Sequence, residues 1–212
     1  MAATKPKLDE AITRLSRKEA TLTALGLEAN GVGVAGAGRL MEALATNSTL
    51  TDLNLSWKQV GDEGAGRLAE VLATNSTLIT LNLAWNGVGD VGTGWLSAAL
   101  VINSSLTTLD LGGNRVGDEG AGRLAEALTT NSILTTLNLW KNEFGDEGVR
   151  QLAKALTTNS SLTAVHFNWD SKTRLLVDAY LKRNKGNLEK KSASLFLMLL
   201  PSLSLDGDEL SD

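Results

Sequence analysis

Residues 50–77 read LTDLNLSWKQVGDEGAGRLAEVLATNST, and this stretch of 28 residues decides the fold. Its first part, Leu53-Asn54-Leu55, alternates apolar and polar residues, which is typical of a strand with one buried face. Its second part places Leu68 and Leu72 four residues apart, the spacing of one face of a helix. The stretch therefore predicts one strand followed by one helix.

The same unit recurs along the chain with a fixed period of 28 residues. An Asn-Ser pair marks each copy, at Asn47, Asn75, Asn103, Asn131 and Asn159. The strand leucines recur with this period as Leu22, Leu25 and Leu27; Leu50, Leu53 and Leu55; Leu78, Leu81 and Leu83; Leu106, Leu109 and Leu111; Leu134, Leu137 and Leu139; and, altered, Leu162, Val165 and Phe167. A fixed period in this range indicates stacked supersecondary units. Strand–helix units in series predict an α/β solenoid with a parallel β-sheet on its concave face and helices on its convex face.

Polar and glycine residues also recur, and each position predicts a local role. An asparagine three residues after the last strand leucine is predicted to satisfy backbone groups of its own and adjacent turns, at Asn30, Asn86, Asn114 and Asn142. Lys58 takes this place in the second unit and Asp170 in the last. Lys58 therefore predicts a locally altered turn, and Asp170 a cap on a terminal helix.

Three further repeated positions lie at the ends of the helices. Glycines that need a positive φ or a close backbone approach are predicted at Gly33, Gly61, Gly89, Gly117 and Gly145. Carboxylates predicted to cap the helices that they begin are Asp62, Asp90, Asp118 and Asp146. The asparagine after each helix, Asn47 and its equivalents, is predicted to adopt the left-handed conformation that often ends a helix.

Together these residues form the pattern L-x-x-L-x-L-x-x-N-x-x-G-x-x-G-x-x-x-L-x-x-x-L. The pattern resembles the long leucine-rich repeat of the ribonuclease-inhibitor type, over roughly residues 20–169. The same class of repeat occurs in the GTPase-activating protein for Ran, in tropomodulin and in NOD-like receptors. The resemblance implies a curved horseshoe segment, but it implies no single function, because the class serves many partners.

The pattern predicts four regions along the chain. Residues 1–19 hold Leu8, Ile12 and Leu15 at helical spacing, and they are predicted to cover the apolar end that a solenoid exposes. Residues 20–169 hold about five full units and one truncated unit, and residues 170–186 are predicted to form a C-terminal capping helix. Residues 187–212 form an apolar and then acidic tail. Docking on the last unit, partner binding, self-association and partial disorder all remain open for this tail.

Composition and motifs argue against catalysis. The chain has no cysteine, which excludes a disulfide scaffold and thiolate chemistry. Residues 31–36 and 87–92 match the dinucleotide-binding pattern G-x-G-x-x-G. Their second and third glycines occur in every unit, so we interpret them as repeat positions. The single histidine, His166, has no partner acid or nucleophile that the pattern singles out. We expect no enzyme activity, no cofactor and no metal site.

Charge and hydropathy restrict the partner and the location. Between Glu19 and Trp169 there are 8 Lys and Arg against 15 Asp and Glu, a net charge of −7 that would repel a nucleic acid. The longest apolar run, Leu195 to Leu200, is too short to span a bilayer. The N-terminus has no apolar stretch typical of a secretory signal. We therefore expect a cytoplasmic protein without a nucleic-acid partner or a membrane span.

The expected function is that of a non-catalytic scaffold that binds another protein through the concave face of its repeats. The alternative, which rests on the resemblance to the Ran activator, is a regulatory protein of the GTPase-activating type. Residues flanking the last two leucines of each strand are predicted to face the concave side or its rim. From them we select the candidate partner-binding residues Trp57, Trp85, Asp110, Gly112, Gly113, Trp140, Lys141, His166 and Trp169.

Gly112-Gly113 is predicted to leave an open slot between Trp85 and Trp140, with Asp110 and Lys141 placed to orient a side chain of the partner. Exposed tryptophan is enriched at binding hot spots. The alternative is that the rings fold over the turns and shield the edge of the sheet, because large rings often pack as core.

Overall fold

The computed structural model describes residues 8–27, 32–167, 177–178 and 180–187. Helices and strands alternate along these residues. The helices are α1 Leu8–Ser16, α2 Gly33–Ala45, α3 Gly61–Leu72, α4 Asp90–Ile102, α5 Asp118–Thr130 and α6 Asp146–Thr158. The strands are β1 Ala24–Gly26, β2 Asp52–Asn54, β3 Thr80–Asn82, β4 Thr108–Asp110, β5 Thr136–Asn138 and β6 Ala164–His166. Residues 177–178 and 180–187 are also helical.

The strands form a six-stranded parallel sheet in the order β1 to β6, so each strand pairs with the strand of the next unit. The register is constant: Leu25 pairs with Leu53, and Leu53 pairs with Leu81. The central residue of each strand is buried, while its two neighbours are exposed or half-buried. The helices pack side by side in one layer on the convex side. The predicted α/β solenoid with a concave parallel sheet is therefore confirmed.

A continuous slab of leucine lies between the sheet and the helices. Each unit contributes leucines from its strand and from its helix, and in the fourth unit these are Leu106, Leu109, Leu111, Leu124 and Leu128. All five side chains are at most 1% exposed. Burial of each such side chain stabilises the fold by about 1.5–3 kcal/mol. Because equivalent leucines of adjacent units belong to one cluster, no unit has a core of its own.

The asparagines that follow the helices connect each unit to the one before it. Asn103 shows the arrangement: its Oδ1 accepts hydrogen bonds from the N–H groups of Ser105 and Leu106, at 3.0 and 2.8 Å. Its Nδ2 donates to the carbonyls of Leu72 and Asn75 in the preceding unit, at 2.7 and 3.2 Å. The prediction of a left-handed conformation is wrong at the described helix ends. Asn103 has φ −68° and ψ 132° and is extended, which lets one amide reach both its own turn and its neighbour.

The turn asparagines Asn86, Asn114 and Asn142 connect units on the opposite edge, as predicted, while Asn30 lies outside the described residues. The Oδ1 atom of Asn114 accepts from the N–H groups of Asn86 and Val88 in the preceding unit, both at 3.0 Å. Its Nδ2 donates to the carbonyls of Leu83 and Leu111, at 3.0 and 2.9 Å. Both sides of the buried amide are thus satisfied across a unit boundary.

Lys58 occupies the turn-asparagine position of the second unit. Gln59 and Gly61 have φ angles of 56° and 62°, whereas Gly145, in the position of Gly61 in the fifth unit, has φ −100°. The Lys58 side chain is buried, and its backbone N–H donates to Oδ1 of Asn86. The same backbone bond joins Asn86 to Asn114, and the positive φ angles recur at Gly87 and Gly33, so an altered turn at Lys58 stays a prediction.

The aspartates at the helix starts act on the next unit rather than on their own. Oδ1 of Asp118 accepts from the N–H groups of Gly145 and Gly148, at the start of α6, both at 2.8 Å. Asp62 and Asp90 make the same pair of bonds to α4 and α5. The prediction that an aspartate caps its own helix is therefore wrong for Asp62, Asp90 and Asp118. The helix dipole and free N–H groups of one helix are instead satisfied from the preceding one.

This arrangement explains two of the repeated glycines by close approach. A Cβ atom at Gly148 would lie 2.9 Å from Oδ1 of Asp118, and one at Gly117 would lie 2.9 Å from Oδ2 of Asp90. Only Gly33 and Gly61 of the five predicted helix-start glycines have a positive φ, 62° at each.

At the N-terminal end, α1 packs on α2 and on the leucine slab. Ala11 and Leu15 are fully buried, and Leu8 and Ile12 are partly buried against the same cluster. The carbonyl of Leu15 accepts a hydrogen bond from Nδ2 of Asn47. Thus α1 bonds to the asparagine of the next unit, as each complete unit does. These contacts support, as a proposal, the assignment of residues 1–19 to a cap.

At the C-terminal end, residues of the last helical segment take the place of a further unit. Nδ2 of Asn184 donates to the carbonyls of Asn159 and Leu162, at 3.1 and 2.7 Å, and the Asn184 side chain is fully buried. The Arg183 guanidinium donates to the carbonyls of Leu156, Thr157 and Asn159, at the end of α6. Residues 168–176 and 188–212, with Asp170 and most of the tail, lie outside the described residues.

We expect Asp118→Ala to lower the free energy of unfolding by about 1–2 kcal/mol, because two N–H groups of α6 lose their acceptor. Glu119→Ala is the matched control, since it removes the same charge one residue away, where the side chain is exposed. We expect the control to change stability by less than about 0.5 kcal/mol. Urea unfolding followed by circular dichroism measures both. Equal effects of the two variants would contradict the bond between units.

Deletion of residues 1–18 should lower the melting temperature but leave most of the helix and strand content, because the first unit would expose its apolar end. Thermal melts followed by circular dichroism test this. A melting temperature equal to that of the whole chain would show that α1 is not a cap.

Candidate protein-binding site

The candidate site is built on the chain that follows the last leucine of each strand. Trp57, Trp85, Gly113 and Lys141 occupy the same position in four successive units. The backbone ladder extends this far: the N–H groups of Trp57, Trp85 and Gly113 donate to carbonyls of the next unit, at 3.0, 2.9 and 2.7 Å. The carboxyl edge of the sheet therefore fixes these residues at a regular spacing.

All four residues adopt a left-handed backbone conformation, with φ angles of 61°, 60°, 67° and 55°. Glycine adopts this conformation without a steric cost, but Gly113 is the only glycine among the four. For a bulky residue the conformation is an outlier that costs about 1–3 kcal/mol. Trp57, Trp85 and Lys141 are thus held at positions where glycine would fit with less strain.

The side chains form a stacked row, which we call the edge stack: Trp57, Trp85, Lys141 and Trp140. The rings of Trp57 and Trp85 are parallel within 10°, with centroids 4.6 Å apart. Nζ of Lys141 lies 5.4 Å from the centroid of Trp85 and 4.4 Å from that of Trp140, within the range of a cation–π contact. The row remains open to solvent, because Trp57, Trp85 and Trp140 are 61%, 37% and 48% exposed.

The structure corrects the predicted open slot between Trp85 and Trp140. The Trp85 indole lies against Gly113, where an added Cβ atom would be 2.4 Å from Cδ2 and Cε2 of the ring. The ammonium of Lys141 bridges the remaining distance to Trp140. The two glycines therefore make room for the protein's own side chains, and the accessible feature is the outer surface of the stack.

Asp110 has a structural role beside the stack. Its Oδ1 accepts from the N–H of Gly112 at 2.8 Å and from Nδ2 of Asn138 at 3.0 Å. A Cβ atom at Gly112 would lie 3.1 Å from the same oxygen, which explains the glycine. Asp110 thereby stabilises the turn that leads to Gly113.

His166 lies on β6, in register with Asn138, and its side chain is exposed on the concave face. Trp169 lies outside the described residues. The structure thus joins Trp57, Trp85, Gly113, Trp140 and Lys141 in one cluster and places Asp110 and Gly112 beneath it. His166 belongs to the adjoining sheet surface.

Sequence reasoning missed one surface. On the convex side, α4 exposes Val91, Trp95, Val101 and Ile102. The signal was present in the aligned units, because residues that are charged in α3 and α5 are apolar in α4. Within the described residues, no group of three or more His, Cys, Asp or Glu is arranged to hold a metal ion. None of the described helices has both the length and the apolar character needed to cross a membrane.

The family model named "Leucine Rich repeat" matches residues 46–69, 74–93, 103–125 and 130–153. The chain is a leucine-rich-repeat protein. The matched ranges cover β2 to β5 and at least the start of the helix after each, including the edge-stack residues Trp57, Trp85, Trp140 and Lys141. No curated protein matches the chain in sequence.

Solved structures with a similar fold include actin-binding site 2 of leiomodin-1, which is 20% identical with a TM-score of 0.65, covering 92% of this chain and 99% of that one. The tropomodulin C-terminal domain of Caenorhabditis elegans is 16% identical with a TM-score of 0.58, covering 89% and 99%. The leucine-rich repeat-containing protein LegL7 from Legionella pneumophila is 21% identical with a TM-score of 0.52, covering 83% and 57%. At these identities the similarity establishes the fold of this leucine-rich-repeat protein.

Gly113→Ala should destabilise the protein by at least about 1 kcal/mol, because alanine is strained at a positive φ and its Cβ would displace the Trp85 ring. Gly94→Ala is the matched control: it lies within α4, and the nearest atom to an added Cβ is 4.0 Å away. We expect the control to be neutral or more stable by up to about 1 kcal/mol. Urea unfolding followed by tryptophan fluorescence measures both. A Gly113 variant as stable as the control would contradict the packing of Trp85 on Gly113.

Proposed function

We propose that this leucine-rich-repeat protein is a non-catalytic scaffold that binds a protein partner through the edge stack and the adjoining concave face. The observation that carries the proposal is the exposed row of Trp57, Trp85, Lys141 and Trp140, in which all but Trp140 have strained backbone. Backbone strain of this kind is concentrated at functional sites. Glycine at three of these positions would relieve strain, so the presence of large side chains there is best explained by binding.

The chemistry around the stack supports a protein partner. Partly exposed tryptophans supply a large apolar contact area, and tryptophan is the residue type most enriched at hot spots. The concave strand positions next to the stack are polar, at Asp52, Asn54, Thr80, Asn82, Thr108, Asp110, Thr136 and Asn138. An apolar centre with a polar surround is the usual anatomy of a protein–protein interface.

Actin is the first partner to test. Leiomodin-1 actin-binding site 2 has the same fold over almost its whole length, although its sequence is only 20% identical. The alternative, activation of a small GTPase, rests only on resemblance of the repeats, since no described side chain favours it.

The experiment compares partner capture by the wild-type chain and by Trp57→Gly/Trp85→Gly. Both substitutions remove the rings and place glycine where φ is positive, so stability should change by less than about 1 kcal/mol. Proteins captured by immobilised chain are identified by mass spectrometry, and binding of purified partners, beginning with actin, is measured by calorimetry. We expect the double variant to bind the partner at least about five times more weakly, a loss of about 1 kcal/mol.

Trp95→Ala is the control, because it removes a tryptophan of similar exposure from the opposite face. It should retain partner binding. If the double variant keeps its fold and captures every partner with unchanged affinity, the edge stack is not the binding site. Actin could fail to bind the wild-type chain while another captured protein binds it and binds the double variant more weakly. In that case the scaffold function stands and only actin is excluded.

A further inference from the structure

The convex face of α4 differs from the faces of the two helices beside it. In α3 the outward positions hold Glu63, Arg67 and Glu70, and in α5 they hold Glu119, Arg123 and Glu126. The equivalent residues of α4 are Val91, Trp95 and Ala98. One helix of the convex layer has therefore exchanged three charged side chains for apolar ones.

These apolar residues are open to solvent. Val91, Trp95, Val101 and Ile102 are 58%, 47%, 50% and 64% exposed. Two grooves flank the ridge that they form, with volumes of about 620 Å³ between α3 and α4 and about 490 Å³ between α4 and α5. An exposed apolar patch with a polar rim marks an interaction site more often than an isolated exposed residue does.

The ring of Trp95 forms part of the wall of the groove between α3 and α4. The ring lies over Gly66 of α3, where an added Cβ atom would be 2.4 Å from Cε3 of the ring. The ring is thus seated on one side and exposed on the other. Val101 and Ile102 extend the apolar ridge to the carboxyl end of α4.

The rims carry a net negative charge. Arg67 is paired with Glu63 at 3.2 Å, and Arg123 lies 4.0 Å from Glu119 and 3.8 Å from Glu126. With Glu70, the two rims together hold four glutamates and two arginines. An apolar segment accompanied by basic residues therefore matches both the groove and its rims.

We propose that the apolar ridge of α4, together with the two grooves that flank it, is covered by the tail of this same chain, residues 190–203. This segment begins with Lys190-Lys191 and continues with Leu195, Phe196, Leu197, Met198, Leu199 and Leu200. Its two lysines, which precede Leu195 on the path from Asn187, complement the negative rim on α5, and its apolar residues complement the α4 ridge. The proposal is independent of the edge stack, which lies at the carboxyl edge of the sheet.

The end of the described chain lies within reach of the groove. Asn184 bonds to the carbonyl of Asn159 at the end of α6, and α5 and α4 follow in order. Packed helices lie 8–10 Å apart, so Ile102 is roughly 24–30 Å from this end of the chain. Leu195 follows Asn187 by eight residues, and eight extended residues span about 26–29 Å. The apolar segment can therefore reach the carboxyl end of α4 and continue along it.

A disulfide between engineered cysteines tests the proposal in the full-length chain, which has no cysteine of its own. Ile102→Cys is combined with Leu199→Cys, and disulfide formation in a dilute glutathione buffer is followed by mass spectrometry. The control is Thr158→Cys with Leu199→Cys, because Thr158 is exposed at the equivalent position of α6, lies nearer to the tail and lines neither groove. We expect the Ile102 pair to form an intramolecular disulfide at least about ten times faster, since docking raises the effective concentration of Leu199 at α4.

A second set of variants checks that the α4 surface is responsible. Val91→Glu, Trp95→Arg and Ala98→Glu, introduced together into both cysteine pairs, give α4 the charged face of its neighbours. We expect the preference for residue 102 to disappear while the circular dichroism spectrum is retained.

Three results would overturn the proposal. The Thr158 pair could form its disulfide as fast as the Ile102 pair, which would describe an undocked tail. Disulfide-linked dimers could form in place of monomers, which would assign the groove to a second copy. The preference for residue 102 could also persist in the triple variant, which would exclude the α4 ridge as the docking surface.

Discussion

A buried amide at each unit boundary is the interaction on which this solenoid depends. The Asn103 side chain satisfies two N–H groups of its own turn and two carbonyls of the preceding unit. A buried polar group left without a partner costs about 1–3 kcal/mol, so neither unit can form this turn well without the other. The strand register and the continuous leucine slab follow from that constraint, because both require units to be held at one fixed offset.

Much of the fold could be predicted from the sequence, but the partners of the repeated polar residues could not. A strictly periodic sequence does not distinguish a bond within one unit from a bond to the next, because the same residue types occur at both places. Asp118 was therefore assigned to α5, although it bonds to the start of α6. Asn103 was given a left-handed backbone for the same reason, since helix-end statistics describe one helix rather than a stack.

The candidate site, too, could be predicted from the sequence only in part. The period identified Trp57, Trp85, Trp140 and Lys141 as residues at one edge of the sheet, but it did not predict that they contact one another. Ring stacking and the position of the Lys141 ammonium depend on side-chain conformations of adjacent units, which the backbone repeat does not determine. The apolar face of α4 was missed for the opposite reason: its signal is a departure from the repeat at Trp95 and its neighbours.

The asparagines and aspartates act in opposite directions along the stack. Asn103 donates to the unit before it, whereas Asp90 accepts from the unit after it. We call the hydrogen bonds between two units a joint. Each complete unit carries one half of the joint at either boundary: an asparagine that bonds to the unit before it and an aspartate that bonds to the unit after it. Duplication or loss of a whole unit by recombination would bring matching halves together again, while an insertion of any other length would separate them. The geometry of these joints thus provides a physical route by which such a chain can change its length in evolution and still fold.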